Sequence, residues 1–230
     1  MRILHNWDLT PTDAIALQRE LVERVDARAP LTNVTLVAGA DVSYARFTNV
    51  LYAGVVVLRL KDFAIVERQS VVQKVNFPYV PGLLSFREAP PVLAAIAKLE
   101  SEPDVFMLDG QGRAHPRRLG LACHVGLWLD RPTLGCAKSL LVGKFGPLRE
   151  MAAAKAALKD KAEVVGMALR TRDRTKPVYV SVGHRIDLPS AVRLTFRCCR
   201  GYRIPEPTRQ AHLFVNEVRA HAIRTGDRHE

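Results

Sequence analysis

Asp41 closes the apolar run Leu36-Val37-Ala38-Gly39-Ala40, and Asp109 closes another, Val105-Phe106-Met107-Leu108. A carboxylate at the end of a buried run costs desolvation unless it caps, pairs or binds a cation. Two such ends on neighbouring central strands would set the carboxylates side by side. Each then raises the other's pKa unless a divalent cation neutralises them. Oxygen ligands alone select magnesium or manganese over zinc. Glu88, expected at the start of an intervening helix, is available as a third carboxylate. Any one of the three reads equally well as a cap or an ion-pair partner, whereas the set reads as a metal site.

Around Asp109 runs Asp109-Gly110-Gln111-Gly112-Arg113-Ala114-His115-Pro116-Arg117-Arg118. The glycines let backbone approach a ligand, and His115, Arg117 and Arg118 are candidate phosphate donors. Lys138, just past a short strand, is placed to meet a phosphate or polarise a nucleophile, or else is a solvated strand-end charge. Upstream, Pro78 and Pro81 bracket Tyr79 and Val80, pinning φ on either side and stiffening the loop. Gly82 then allows a turn or a close approach. A rigid loop with an aromatic tip suits prying a base from a nucleic-acid stack. The plainer alternative packs Tyr79 into its own domain.

Thr10-Pro11 followed by Asp13 predicts a helix over 11–27. Three β-rich runs at 34–44, 51–60 and 64–75, with short connections, predict an antiparallel meander. A helix is expected over 86–99, with Pro90 and Pro91 near its start, then a strand at 105–108, a helix at 119–129 and a strand at 133–137. Residues 146–162, rich in Ala, Lys and Glu, predict an exposed helix. A β-hairpin over 168–182 and helices at 188–200 and 207–224 complete the chain. The order is that of an α/β, ribonuclease-H-like fold: a central mixed sheet of three antiparallel strands plus parallel ones, flanked by helices. No repeat or linker divides it, so residues 1–230 are expected to form a single domain.

The 230 residues carry a net charge of +11, unevenly spread. Residues 110–209 hold 20 Lys and Arg against 7 Asp and Glu, whereas residues 1–109 hold 11 against 13. A basic half beside a slightly acidic one suits a phosphate-tracking surface next to a carboxylate-lined metal site. The four cysteines form no CxxC pair, the first residues lack the apolar core of a secretion signal, and no run is long enough to span a bilayer. A cytoplasmic protein without membrane attachment is expected.

Several motifs occur in order: Gly39-Ala-Asp41-Val, Pro78-Tyr79-Val80-Pro-Gly82 running into Ser-Phe-Arg-Glu88, Asp109-Gly-Gln-Gly with His115-Pro-Arg-Arg, Gly135-Cys-Ala-Lys138, Gly183-His-Arg, and Arg203-Ile-Pro-Glu-Pro-Thr-Arg209. The set resembles endonuclease V, the repair nuclease for deaminated adenine, over residues 36–212. The resemblance implies that Asp41 and Asp109 hold magnesium (or manganese), with Glu88 in support, and that Lys138 and His212 assist cleavage. Tyr79 would be the wedge that fills the gap left by a flipped base, flanked by Pro78 and Val80. Backbone amides near Gly82, Leu84 and Gly110 would read the hypoxanthine carbonyl, with His115 beside them. The implied reaction is a nick at the second phosphodiester 3′ to deoxyinosine in duplex or single-stranded DNA, by a monomer. A nuclease of the same fold preferring inosine in RNA, a resolvase-like nuclease and a non-catalytic nucleic-acid binder are the competing readings.

Overall fold

The three β-rich runs form the expected antiparallel meander, Leu36–Tyr44 (β1), Val50–Arg59 (β2) and Ile65–Lys74 (β3). The computed structural model describes residues 1–45 and 48–225. Val105–Leu108 (β4) and Thr133–Ala137 (β5) add in parallel on the other side of β1. Lys155–Asp160 (β6), Glu163–Leu169 (β7) and Val178–His184 (β8) extend the sheet antiparallel beyond β5. The eight strands run in the order β3-β2-β1-β4-β5-β8-β7-β6, and the first five reproduce the expected ribonuclease-H-like arrangement.

Leu84–Ile96 (α2) and Leu121–Leu129 (α3) cover one face, packing Val92, Leu93, Ile96 and Trp128 on Ala38, Ala40, Val55 and Leu108. Leu188–Arg197 (α4) and Glu206–Thr225 (α5) cover the other, α4 on Val180 and Val182 and α5 on Val56 and Leu58. Pro11–Leu21 (α1) begins with a capping box between Thr10 and Asp13 and packs Leu21 against Leu119, Cys123 and Leu127.

Four expectations are corrected. α1 stops at Leu21 and passes into one 3-10 turn, Val22–Arg24, rather than continuing to 27. The chain then departs so that the Asp26 amide can donate to His184 Nδ1 at 3.2 Å. α2 begins two residues earlier than expected, so Pro90 and Pro91 lie in its middle and remove two amide donors there. Burial of Phe86, Ala89, Val92, Leu93 and Ile96 holds the helix through that gap. Residues 146–162 are not helical. Their second half is β6, because Leu158 is needed in a core with Ala114 and Val165, and β7 supplies the hydrogen bonds. The hairpin expected over 168–182 forms, but it is shorter than expected: only Met167, Ala168 and Leu169 pair with β8, while β7 starts earlier and pairs along its length with β6.

Candidate active site

Parallel register brings the two aspartates together. Ala40 pairs with Leu108 between β1 and β4, and the Asp109 amide donates to Ala40 O at 3.0 Å, so the two aspartates stand side by side. Asp109 follows the end of β4, whereas Asp41, expected at a strand end, lies inside β1, which runs on to Tyr44 because Asp41 and the residues after it stay paired with β2. α5 lies against β1 at Gly39, where a side chain would meet the Pro207 carbonyl at 1.9 Å. That approach sets His212 over the pair, with Nδ1 donating to Asp41 Oδ2 at 2.7 Å. Lys138, immediately after β5, forms an ion pair with Asp109.

Ligand atoms of Asp41, Asp109 and His212 lie within 4.8 Å of one another. The expected oxygen-only set therefore gains an imidazole nitrogen, a donor that magnesium tolerates and manganese takes more readily. Burial, and then the charge of Asp41, push the Asp109 carboxyl above its usual range, against the pull of Lys138. Glu88 is the fifth residue of α2 and stands outside that three-residue cluster. It is close enough that burial, then the charges of Asp41 and Asp109, raise its pKa to about 8. Glu88 and Asp109 thus both lie above the ordinary carboxyl range, through desolvation first and the neighbouring negative charge second.

Tyr79 is 72% exposed, which removes the alternative of a tyrosine packed into its own domain. Val80 instead packs inward with Phe77, Leu83 and Phe86, fixing the loop from below, while Pro78 is exposed. Beneath Tyr79 a cavity of about 180 Å³ is lined by Gly82, Leu84, Glu88, Asp109, Gly110 and His115 among others. It has room for roughly six waters, or one flat heterocycle. Glu88 and Asp109 thus border both the cavity and the carboxylate cluster. A larger cleft of about 660 Å³ shares Tyr79, Leu84 and Glu88 with this cavity and reaches Tyr44 and Arg87.

The donors available inside the cavity differ in part from those expected. No side chain caps the N-terminus of α2, which leaves the Leu84 amide free to face a ligand. The Gly110 amide, by contrast, already donates to Leu108 O at 2.9 Å. His115, Arg117 and Arg118 do not form a free phosphate cradle. The Gly82 carbonyl accepts from Gln18 Nε2 at 3.1 Å, His115 Nε2 at 3.0 Å and Arg117 Nη2 at 2.7 Å. Arg117 N–H donates to His115 Nδ1, so His115 carries its proton on Nε2, and burial followed by the Arg117 charge lowers its pKa to about 4. Arg118 is consumed by Asp160 at 2.8 Å and Glu163 at 2.7 Å. These residues hold the loop rather than a phosphate.

Three supporting residues carried no assigned role in the sequence: Gln18 and Asn216 gave no signal, and Arg203 stood out only as the start of a motif. Gln18, wholly buried on α1, joins Gly82 to Leu119 O and accepts from Arg117. Asn216 sits one helical turn beyond His212 and contacts its Nε2 at 3.2 Å, while accepting from Ser43 Oγ. Arg203 donates to Lys138 O and Pro177 O, bracing the chain that carries Lys138. Behind the cavity, Ser85 Oγ bonds His124 Nδ1 at 3.1 Å, and His124 Nε2 meets His5 Nε2 at 2.8 Å. Burial lowers His124 to about 3.

The family model of endonuclease V matches residues 19–213. An endonuclease V from Gloeobacter violaceus is 53% identical over 94% of this chain and 89% of its own length. The crystal structure of a Streptomyces avermitilis endonuclease V superposes with a TM-score of 0.91 at 41% identity, covering 96% of this chain and 98% of that one. A Ciona intestinalis endonuclease V, crystallised with a 24mer DNA containing an inosine followed by a ribo-adenosine, gives 0.78 at 27% identity over 91% and 97%. Among the described residues no helix is long and apolar enough to cross a membrane.

Proposed function

The chain belongs to the endonuclease V family of hydrolytic nucleases, and from that premise we propose that it nicks the lesion strand at the second phosphodiester 3′ to deoxyinosine, using magnesium or manganese. The observation that carries this reading is one shared wall. Glu88 and Asp109 border both the cavity under Tyr79 and the carboxylate cluster, so a base held in one place presents its strand to the other.

Asp41, Asp109 and His212 would hold the cation, with Glu88 in support, and this donor set fits a hard or borderline divalent ion. A cation there supplies a more acidic bound water and compensating charge for the phosphate. Lys138 adds positive charge at Asp109, on the side where a scissile phosphate would enter. Asn216 fixes the rotation of the His212 ring. Water adds to phosphorus, the bond to the 3′ oxygen breaks, and that oxygen takes a proton, leaving 3′-hydroxyl and 5′-phosphate ends. Recognition falls to Tyr79, which fills the stack vacated by the flipped base, and to the amides of Gly82 and Leu84, which donate to the hypoxanthine carbonyl where adenine would present an amino group. A base already mispaired costs less to extrude, which adds selectivity.

On this reading residues 1–230 are one nuclease domain, working as a monomer in a reducing cytoplasm. The four free thiols support that compartment. A nicking assay on a deoxyinosine duplex, with and without magnesium, tests the proposal; metal-independent cutting, or equal cutting of undamaged duplex, would refute it. Because the Ciona relative was crystallised on a strand with a ribonucleotide after inosine, a second substrate carrying inosine in RNA separates the RNA-preferring alternative. A branched duplex without inosine separates the resolvase-like one.

A further inference from the structure

At the outer edge of the sheet two lysines are held opposite each other with no acidic group between them. Lys144 and Lys159 form an antiparallel bridge, each amide donating to the other's carbonyl at 2.8 Å. Directly opposed residues of such a pair project to the same face, their Cβ atoms about 5 Å apart, and like charges there repel. The flanking residues fix that face as the outer one. Leu158 is fully buried, and Val142 and Phe145 pack on the same small core, so the lysines between them point to solvent. The approach is built into the backbone: Gly143, at φ +84, passes so close to Lys159 that a side chain would meet its carbonyl at 2.7 Å.

Acids are near in sequence but spent elsewhere. Asp160 pairs with Arg118, and Glu163 pairs with both Arg113 and Arg118. Among the described residues neither lysine has a carboxylate within ion-pair distance, and the exposed Lys155 and Lys161 extend the positive stripe on either side. A like-charge pair kept in register with no local counter-ion is explained by an anion that arrives with the substrate.

We propose that Lys144 and Lys159 together bind a backbone phosphate of the duplex flanking the lesion, outside the cleavage centre. The inference rests on the nuclease reading above. The connecting chain makes the distance right: Lys144 is six positions beyond Lys138, a span of at most about 22 Å. That is less than one turn of duplex, about 34 Å, so a single bound molecule reaches both. Leu141, midway along the same segment, lines the cavity under Tyr79. The pair reads no sequence. It adds affinity to lesion and undamaged duplex alike and sets the direction in which the duplex leaves the site.

The test is the salt dependence of binding to undamaged and deoxyinosine duplexes by Lys144→Gln and Lys159→Gln, singly and together, beside thermal melting. Because the two lysines share one phosphate, the double substitution is expected to flatten the slope of log K against log salt by about 1, and each single one by part of that. Each variant should weaken both duplexes by the same factor and leave cleavage at saturating DNA unchanged. Melting should stay level or rise, because repulsion is relieved. An unchanged slope and affinity in the double variant would overturn the proposal. If a variant loses stability as well as affinity, Lys159→Arg decides: restored binding supports the phosphate site, and unrestored binding refutes it. Absence of deoxyinosine nicking by the unaltered protein, with lysine-dependent duplex binding intact, would sink the nuclease reading while leaving this site standing.

Discussion

Gly39 and the carbonyl of Pro207 are in such close contact that a methyl group on Gly39 would lie 1.9 Å from that oxygen. Gly39 is two residues from Asp41, and Pro207 is five residues from His212, so this contact seats the histidine on the aspartate. Gly39→Ala is expected to push α5 off β1, costing about 1–3 kcal/mol and lowering cleavage with it. Melting temperature and nicking rate should fall together. A Gly39→Ala protein that matches the wild type in both would show that the helix does not set the site.

Removing either aspartate's charge should remove the cation. Asp41→Asn or Asp109→Asn is expected to abolish nicking while the protein still folds. The rise in melting temperature on adding magnesium or manganese, expected for a ligand that binds only the folded chain, should vanish in both variants. A shift that persists in the double variant would move the metal site elsewhere.

Tyr79 stands clear of the protein, so its loss should be felt by DNA and not by the fold. A base stacked on an aromatic ring is worth roughly 1–3 kcal/mol, and Tyr79→Ala should weaken cleavage of a deoxyinosine duplex by about ten- to a hundredfold. Tyr79→Phe should lose little. The deficit should shrink on single-stranded deoxyinosine, where there is less stacking to replace. Equal losses on both substrates together with a lower melting temperature would exclude the wedge.

Gln18 sits behind the loop and would touch no base, yet it holds the Gly82 carbonyl. Gln18→Leu leaves the Leu119 carbonyl without its side-chain donor, a cost of about 1–3 kcal/mol, and removes one of the three donors that hold the Gly82 carbonyl, at a residue with φ +79. The preference for deoxyinosine over undamaged duplex should narrow, with KM for the lesion rising more than kcat falls. Gln18→Glu, which keeps an acceptor for Arg117 but loses the donor to Gly82, separates the two contacts. Unaltered discrimination in both would make Gln18 only a packing residue.

His115 and His124 should both be neutral throughout the working pH range. Their folded pKa values, about 4 and about 3, lie below the ordinary 6.5. Each therefore favours the fold above about pH 6.5 and loses that contribution as pH falls towards its folded value, where the buried ring must take a proton. Ring signals followed by NMR should titrate two or more pH units below those of an exposed histidine. A midpoint near 6.5 for His115 would mean that the Gly82 clamp is open in solution.

The apolar runs before the two aspartates, the stiff loop and the charge asymmetry were legible in the sequence because each is a local event, although the strand holding Asp41 runs on to Tyr44 rather than ending there. Apolar runs that stop at Asp41 and Asp109, prolines on either side of Tyr79 and the capping box at Thr10 act through neighbouring atoms alone. The ordered motifs brought the family into view for the same reason. What neighbouring residues cannot specify is which distant groups meet. Composition points to a helix across residues 146–162, but the buried side of Leu158 and a partner strand make β6 there. Pro90 and Pro91 argue for a helix start, and packing against the sheet carries α2 through them. The basic residues near His115 read as phosphate donors until Gly82, Asp160 and Glu163 claim them. Gln18 and Asn216 look like ordinary polar positions on helices. Only when the sheet sets α1 and α5 in place do the first reach Gly82 and the second reach Ser43, because hydrogen bonds across 64 and 173 residues depend on tertiary distance, which no local pattern encodes.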